Sequence, residues 1–306
     1  LIAPAPPLRH RHSDPFAGPR HRAQAEAARL PPLLAEAQKL AATVVVGTHG
    51  RRHAGAGEEF WQFRNALPGD SRRSIDWRRS ARSDAPYIRQ HEWQAAQSVL
   101  FWIDPARSMA FSGDKAREEK GSRATVLGLA LMILLLRAGE RIGLIDQDTP
   151  PKSGLSQIER ILAALGKQRG QAPDYATPRT RILPRGSRAV FLSDFLAPEL
   201  DLHNTLQRAA DQGVSGALVQ ILDPVEESFP FDGRTQFHSI GGQLRFETFR
   251  ARGLRNAYRQ RLAARKSAVD EACRAAGWRY LVHHTDAPAQ PALMWLYAAL
   301  KGDPAP

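Results

Sequence analysis

The chain has 306 residues, 42% of them hydrophobic and 24% charged, which excludes a wholly disordered, collagen-like or disulfide-stapled protein and allows about two domains. Its single cysteine, Cys273, forms no internal disulfide, and no CxxC or Cys/His zinc spacing occurs, as suits a reducing compartment. The formal net charge of +12 is spread over Arg9, Arg11, Arg20 and Arg22, the segment 51–89 and the helix-prone stretch 250–266, and so names neither a nucleic acid nor an acidic protein as partner.

Residues 1–22 hold Pro4, Pro6, Pro7, Pro15 and Pro19 among arginines and histidines, with too little apolar content to offset ordering entropy, and are expected to be a disordered basic tail. They lack the apolar stretch of a secretory signal. Residues 23–42 form a helical lead-in, with an apolar stripe of Leu30, Leu33, Leu34, Ala37 and Leu40 starting near Pro31 and Pro32. Residues 43–97 read as a β-rich accessory segment: Thr43–Val46, Phe60–Phe63 and Tyr87–Ile88 favour strand, between the turn chemistry of Gly55-Ala56-Gly57 and Pro68-Gly69-Asp70.

Residues 98–306 alternate strands with helices. Ser98–Ile103 is a continuous apolar run, as in a strand covered on both faces. A helix over 115–138 follows; its run from Thr125 to Leu136 is apolar all round, hence buried, and too short to span a membrane. Then come a strand at 141–145, a helix at 155–165, a strand at 189–192, a helix at 198–211 and a strand at 217–222. A hairpin at 235–249 turns at Gly241-Gly242, and a long basic helix at 254–276, a strand at 278–282 and a helix at 291–300 close the chain. The pattern predicts an α/β fold with a doubly wound, mainly parallel sheet. No span and no leader point to a cytoplasmic protein.

There is no GxxxxGK[ST], GxSxG or HExxH. Gly55-Ala56-Gly57 does not open a helix after a strand and is a poor dinucleotide fingerprint. Cys273 falls at an apolar helical position and is expected in the core. His283 and His284, adjacent on a strand, point to opposite faces and make a weak metal pair. His49 and His53 lack a third ligand. What remains is two buried strands that each end in aspartate, Asp104 and Asp194. Ligands bind beyond the carboxyl ends of parallel strands where strand order reverses, so Asp104, Ser108 and Asp194 converge if the strands are neighbours. Two carboxylates and a hydroxyl suit Mg²⁺ with waters, whereas strand-terminal aspartates also merely cap helices; both readings stand.

Asp104-x-x-x-Ser108 resembles the Asp-x-Ser-x-Ser motif of the metal-ion-dependent adhesion site in von Willebrand factor A domains, and Ser193-Asp194 resembles the later aspartate of that site. Gly57-Glu58-Glu59-Phe60, Arg64, Pro68-Gly69-Asp70, Arg73-Ser74-Ile75-Asp76-Trp77 and Ser80-Ala81-Arg82 together resemble the hallmark of family 58 of the domains of unknown function. The resemblance implies a β-rich segment joined to a von Willebrand A-like domain, and a gene neighbourhood with MoxR-type AAA+ ATPases. It further implies a non-enzymatic adaptor of such an ATPase, acting on a client protein in complex assembly or metal insertion, and a Mg²⁺ site at Asp104, Ser108 and Asp194. Ala106 stands where the motif has its first serine, and the threonine of such sites has no clear counterpart, so the site is degenerate. In the accessory segment, Arg64, Asp70, Arg73, Asp76 and Arg82 are expected to form ion pairs with Trp77 as a packing anchor; the competing reading is an exposed recognition surface. Two other classes remain: a metal-dependent hydrolase or nuclease using the paired aspartates, and a nucleic-acid binder using the basic surface, against which the scarcity of aromatics along the basic helix argues.

Overall fold

Five strands align in parallel: four are apolar runs buried on both faces, and the fifth, nearest the C-terminus, is a half-buried edge strand. They are β4 (Ser98–Ile103), β5 (Arg141–Leu144), β6 (Arg188–Ser193), β7 (Ser215–Leu222) and β10 (Arg279–His284), in the spatial order β10-β7-β6-β4-β5. This is a computed structural model, and it describes residues 19–44, 51–55, 59–67, 71, 75–81, 86–170, 172–178, 183–197, 202–238, 240 and 245–301.

Alternation along the strands divides the core into two layers. Val99, Phe101 and Ile103 of β4, with Val190 and Leu192 of β6, pack under α3 (Lys120–Arg137), α4 (Ser156–Gly170) and α8 (Ala289–Lys301). Leu100, Trp102, Ala189 and Phe191 face the other way, against α5 (Leu202–Asp211) and α7 (Ala251–Ala275). Helices on both faces make the sheet doubly wound, as expected. Each fully buried large side chain in these layers contributes about 1.5–3 kcal/mol. Helix α3 is buried from Lys120 to Leu136 because its outer side is covered in turn by α8 and by α1 (Pro19–Ala42). It comes so close to the sheet at Gly128 that a Cβ there would lie 2.6 Å from Ile103 Cδ1.

Several boundaries move. Helix α1 starts at Pro19, inside the expected tail, and runs through Pro31 and Pro32, with Leu30, Ala37 and Ala41 buried on the core. The loss of two backbone donors is offset by that packing. Residues 1–18 lie outside the described part. The expected strand at Thr43–Val46 does not begin: Thr43 closes α1, its hydroxyl donating to the Leu40 carbonyl (2.7 Å), and residues 45 and 46 are outside the described part. Helix α3 begins at Lys120 rather than 115, because Ser112 and Asp114 take up local backbone groups instead: the Ser112 hydroxyl donates to the Asp114 carbonyl (2.7 Å) and the Ala116 amide to Asp114 Oδ1 (2.9 Å).

The accessory segment is a three-stranded antiparallel sheet in the order β1-β3-β2, from β1 (Arg51–Gly55), β2 (Glu59–Asn65) and β3 (Tyr87–Ala95), and β3 leads almost directly into β4. Asp76 caps the short α2 (Trp77–Ser80) by accepting from the Arg79 amide at 3.0 Å. Trp77 is 63% exposed, which overturns its expected role as a packing anchor. It is the first residue of α2 and turns outward, while Arg79 packs over the Phe63 and Tyr87 rings at 4.5 and 5.5 Å. The Arg64 side chain, Asp70, Arg73 and Arg82 fall outside the described part. Between β7 and α7, α6 (Pro224–Ser228) is followed by the antiparallel hairpin of β8 (Thr235–His238) and β9 (Arg245–Thr248); its Gly241-Gly242 turn is outside the described part.

Candidate functional site

The chain leaves β4 toward β5 on one side and returns to β6 on the other, so strand order reverses between β4 and β6. Neighbouring strands diverge into a crevice there, and it lies at their carboxyl ends. Asp104 and Asp194 follow these two strands directly, and the Asp104 amide still donates to the Leu192 carbonyl (2.9 Å). The two strands are neighbours, which is the condition on which the two aspartates share one crevice. Ser108 sits in a 3₁₀ turn (Arg107–Met109) whose amides hang on a neighbouring loop: Arg107 donates to the Pro173 carbonyl and Ser108 to that of Asp174.

Each aspartate is already engaged. Asp104 Oδ1 accepts from the Ala106 amide (2.8 Å), and Oδ2 from the Ser193 hydroxyl (2.6 Å), which in turn accepts from the Phe195 amide (3.0 Å). Burial pushes the Asp104 carboxyl up to about 7, against those hydrogen bonds. Asp194 Oδ1 accepts from the Leu196 amide (3.0 Å). Phe195, between them, holds a left-handed backbone (φ 50°) that costs a non-glycine residue about 1–3 kcal/mol. Its ring is locked beside Trp102, with centroids 6.2 Å apart, and Arg265 of α7 donates to its carbonyl (2.7 Å).

The remaining oxygen of Asp194 meets a lysine. Lys120 Nζ lies 2.8 Å from Asp194 Oδ2 and 2.6 Å from Glu226 Oε1, with its side chain 2% exposed. Burial acts against its charge, yet the two carboxylates beside it hold the ammonium above the usual lysine range. Glu226 is fixed by a capping box on α6, its Oε2 accepting from the Asp223 amide (2.8 Å). Asp223 is buried too. Burial alone would raise its carboxyl, but the Val225 and Gly113 amides and Arg117, whose Nη1 donates to both oxygens at 3.1 Å, bring it below the ordinary range. Thus three strands, not two, end in aspartate at this edge. Beside them, Arg123 donates to the Thr285 and Ala287 carbonyls (3.0 and 2.5 Å) and to His283 Nε2 (2.9 Å). Burial and that guanidinium push His283 down to about 4, so it is a neutral core acceptor. Cys273 is buried, as expected, and burial raises its thiol to about 12.

The residues do not fit the Mg²⁺ site implied for Asp104, Ser108 and Asp194. Asp104 spends both oxygens inside the loop, Asp194 faces an ammonium, and Ala106 offers no hydroxyl. Among the described residues, no group of three or more His, Cys, Asp or Glu side chains is arranged to hold a metal. Ser108 Oγ is buried without a hydrogen-bond partner.

Above this polar floor opens a cleft of about 920 Å³. Its far wall is aromatic: Phe229 lies with its centroid 4.8 Å from Tyr258 and 5.1 Å from Phe231, which is 5.5 Å from Phe237. Phe111, Tyr175, Ile240 and Leu254 add exposed apolar surface at its edge, with Arg107 and Arg261 among the lining residues. Sequence reasoning missed Lys120, Glu226 and this wall. The stretch Asp223-Pro224-Val225-Glu226 carried a legible signal, a capping box behind a buried strand. Lys120 carried none, since a cation in the first turn of a helix opposes the macrodipole and reads as surface.

A family model described as "Protein of unknown function DUF58" matches residues 62–268. The chain is 25% identical over 256 residues to "Uncharacterized protein Rv1480" of Mycobacterium tuberculosis and to "Uncharacterized protein Mb1516" of Mycobacterium bovis, covering 79% of this chain and 80% of each relative. Among solved structures, an uncharacterized membrane spanning protein from Vibrio fischeri aligns over 68% of this chain and 100% of that one, with 16% identity and a TM-score of 0.18, too low to carry a likeness of fold. Among the described residues of this chain, no helix is long and apolar enough to cross a membrane.

Proposed function

The chain belongs to the DUF58 family, and from that premise we propose that it is a non-enzymatic protein-binding module, a von Willebrand A-like domain serving as adaptor of a MoxR-type AAA+ ATPase. The cleft at the strand ends carries the reading. An apolar, aromatic-walled opening of about 920 Å³ at a topological switch point is shaped to seat a ligand, and exposed apolar side chains at its edge are an interaction surface. On the floor the Lys120 ammonium is clamped between the Asp194 and Glu226 carboxylates, so each of the three is engaged with another rather than turned to a reacting group. The long-range field comes from the chain's +12, with Arg107 and Arg261 beside the cleft. The occupant that fits is a protein segment with an apolar anchor and flanking carboxylates. ATP hydrolysis belongs to the partner, in keeping with the absence of GxxxxGK[ST] from this sequence.

The test is biolayer interferometry of the full chain against the MoxR-type ATPase of the same organism, with and without nucleotide. Saturable binding that weakens as salt rises and is lost in F237D and L254D supports the proposal. No binding in any nucleotide state, or binding indifferent to both substitutions, refutes it.

A further inference from the structure

We infer that the ammonium of Lys120 is a built-in substitute for a divalent cation, so that the crevice works without metal and becomes a metal site only when that side chain is removed. The inference stands apart from the identity of any partner. Its first support is position. Lys120 begins α3, where a positive charge opposes the helix dipole, and its side chain is almost wholly buried, which carries a large desolvation cost. Only a specific partner set offsets both, and that set is present: Asp194 from the end of β6 and Glu226 from α6, converging on Nζ.

The second support is spacing. The two carboxylate oxygens lie 2.6 and 2.8 Å from a common centre, the separation of charged hydrogen bonds, whereas Mg²⁺ requires oxygens at roughly 2.0–2.1 Å. Third, Ser108 Oγ is buried, has no hydrogen-bond partner and lines the same cleft as Lys120, Asp194 and Glu226. Two carboxylates around one centre, with the unpartnered Ser108 hydroxyl lining the same cleft and waters to complete the shell, form a hard-oxygen set whose centre an ammonium now occupies. A divalent ion entering beside Lys120 would meet a like charge at close range in a partly desolvated site. Its removal should therefore tighten metal binding by at least roughly 100-fold.

Mn²⁺ is the probe, titrated into the full chain and followed by the loss of the free-ion paramagnetic resonance signal and by thermal denaturation against ionic-strength-matched NaCl. The wild type is expected to bind no Mn²⁺ at millimolar concentration and to show no Mn²⁺-specific shift in melting temperature. K120A is expected to bind one ion per chain and to be stabilised by it, and E226Q introduced into K120A should weaken that binding. If K120A does not fold alone, refolding in Mn²⁺ but not in NaCl supports the inference, and failure in both counts against it. One Mn²⁺ bound per wild-type chain, or a folded K120A indifferent to Mn²⁺, overturns it.

Discussion

Replacing Asp104 by Asn should make the protein more stable at alkaline pH, the reverse of the usual effect of removing a buried carboxylate from its hydrogen bonds. Burial raises this carboxyl from 3.8 in the unfolded chain to about 7 in the folded one. Between those values the folded state holds the proton more tightly than the unfolded chain, so stability falls as pH rises through the window and levels off above it. Three pKa units at 1.36 kcal/mol each come to about 4 kcal/mol, of which about 3 kcal/mol accrues between pH 5 and pH 8. Asn mimics the protonated acid. Its oxygen can accept from the Ala106 amide and its amide can donate to Ser193 Oγ, which already receives the Phe195 amide. Urea unfolding of wild type and D104N across pH 5–8 should show curves that diverge by about 3 kcal/mol in favour of D104N. Parallel curves, or a loss in D104N that grows with pH, would mean that Asp104 is ionised and held by its hydrogen bonds, and the account of this loop would be wrong.

Three further outcomes follow from other parts of the fold. His283 is shifted from 6.5 to about 4, so its contribution is present above pH 6.5 and lost as pH falls toward 4; H283Q should remove an acid-side loss of about 3 kcal/mol, seen as a difference from wild type in urea titrations extended down to pH 4. A Cβ at Gly216 would sit 1.9 Å from the Ala189 carbonyl oxygen, which is backbone and cannot yield, whereas at Gly128 it meets the movable end of Ile103. G216A should therefore cost about 3 kcal/mol or more and G128A less than about 1 kcal/mol, the latter helped by alanine's helix propensity, as measured by thermal and urea unfolding. In the accessory segment, D76A should cost about 1 kcal/mol through the lost cap of α2, while W77A, at an exposed position, should leave the unfolding midpoint within about 0.5 kcal/mol of wild type.

The parallel sheet was legible because strands covered on both faces write themselves as unbroken apolar runs: Ser98–Ile103 and Ala189–Leu192 could be little else. Whether those two strands are neighbours was left open by the sequence; the structure pairs them, and that brings Asp104 and Asp194 to one crevice. The charge state of that crevice was not legible. It depends on a lysine from the helix after β4 and a glutamate from the helix after β7, and long-range pairing of side chains leaves no periodic trace. The helix start misread at 115 shows the same limit on a smaller scale, since the Ser112 and Asp114 side chains compete with the helix for backbone groups. Trp77 was misread because aromatic character alone does not tell which side of a four-residue helix faces inward.

Hydrogen–deuterium exchange of the full chain with and without the saturating MoxR-type ATPase tests the central claim most directly. The account predicts slowed exchange concentrated at residues 229–238 and 254–261, the aromatic wall and its α7 flank, with the helices on the opposite sheet face, α1 and α8, unchanged. Protection centred on α1, α8 or the β1-β3-β2 sheet, with the cleft unaffected, would contradict it.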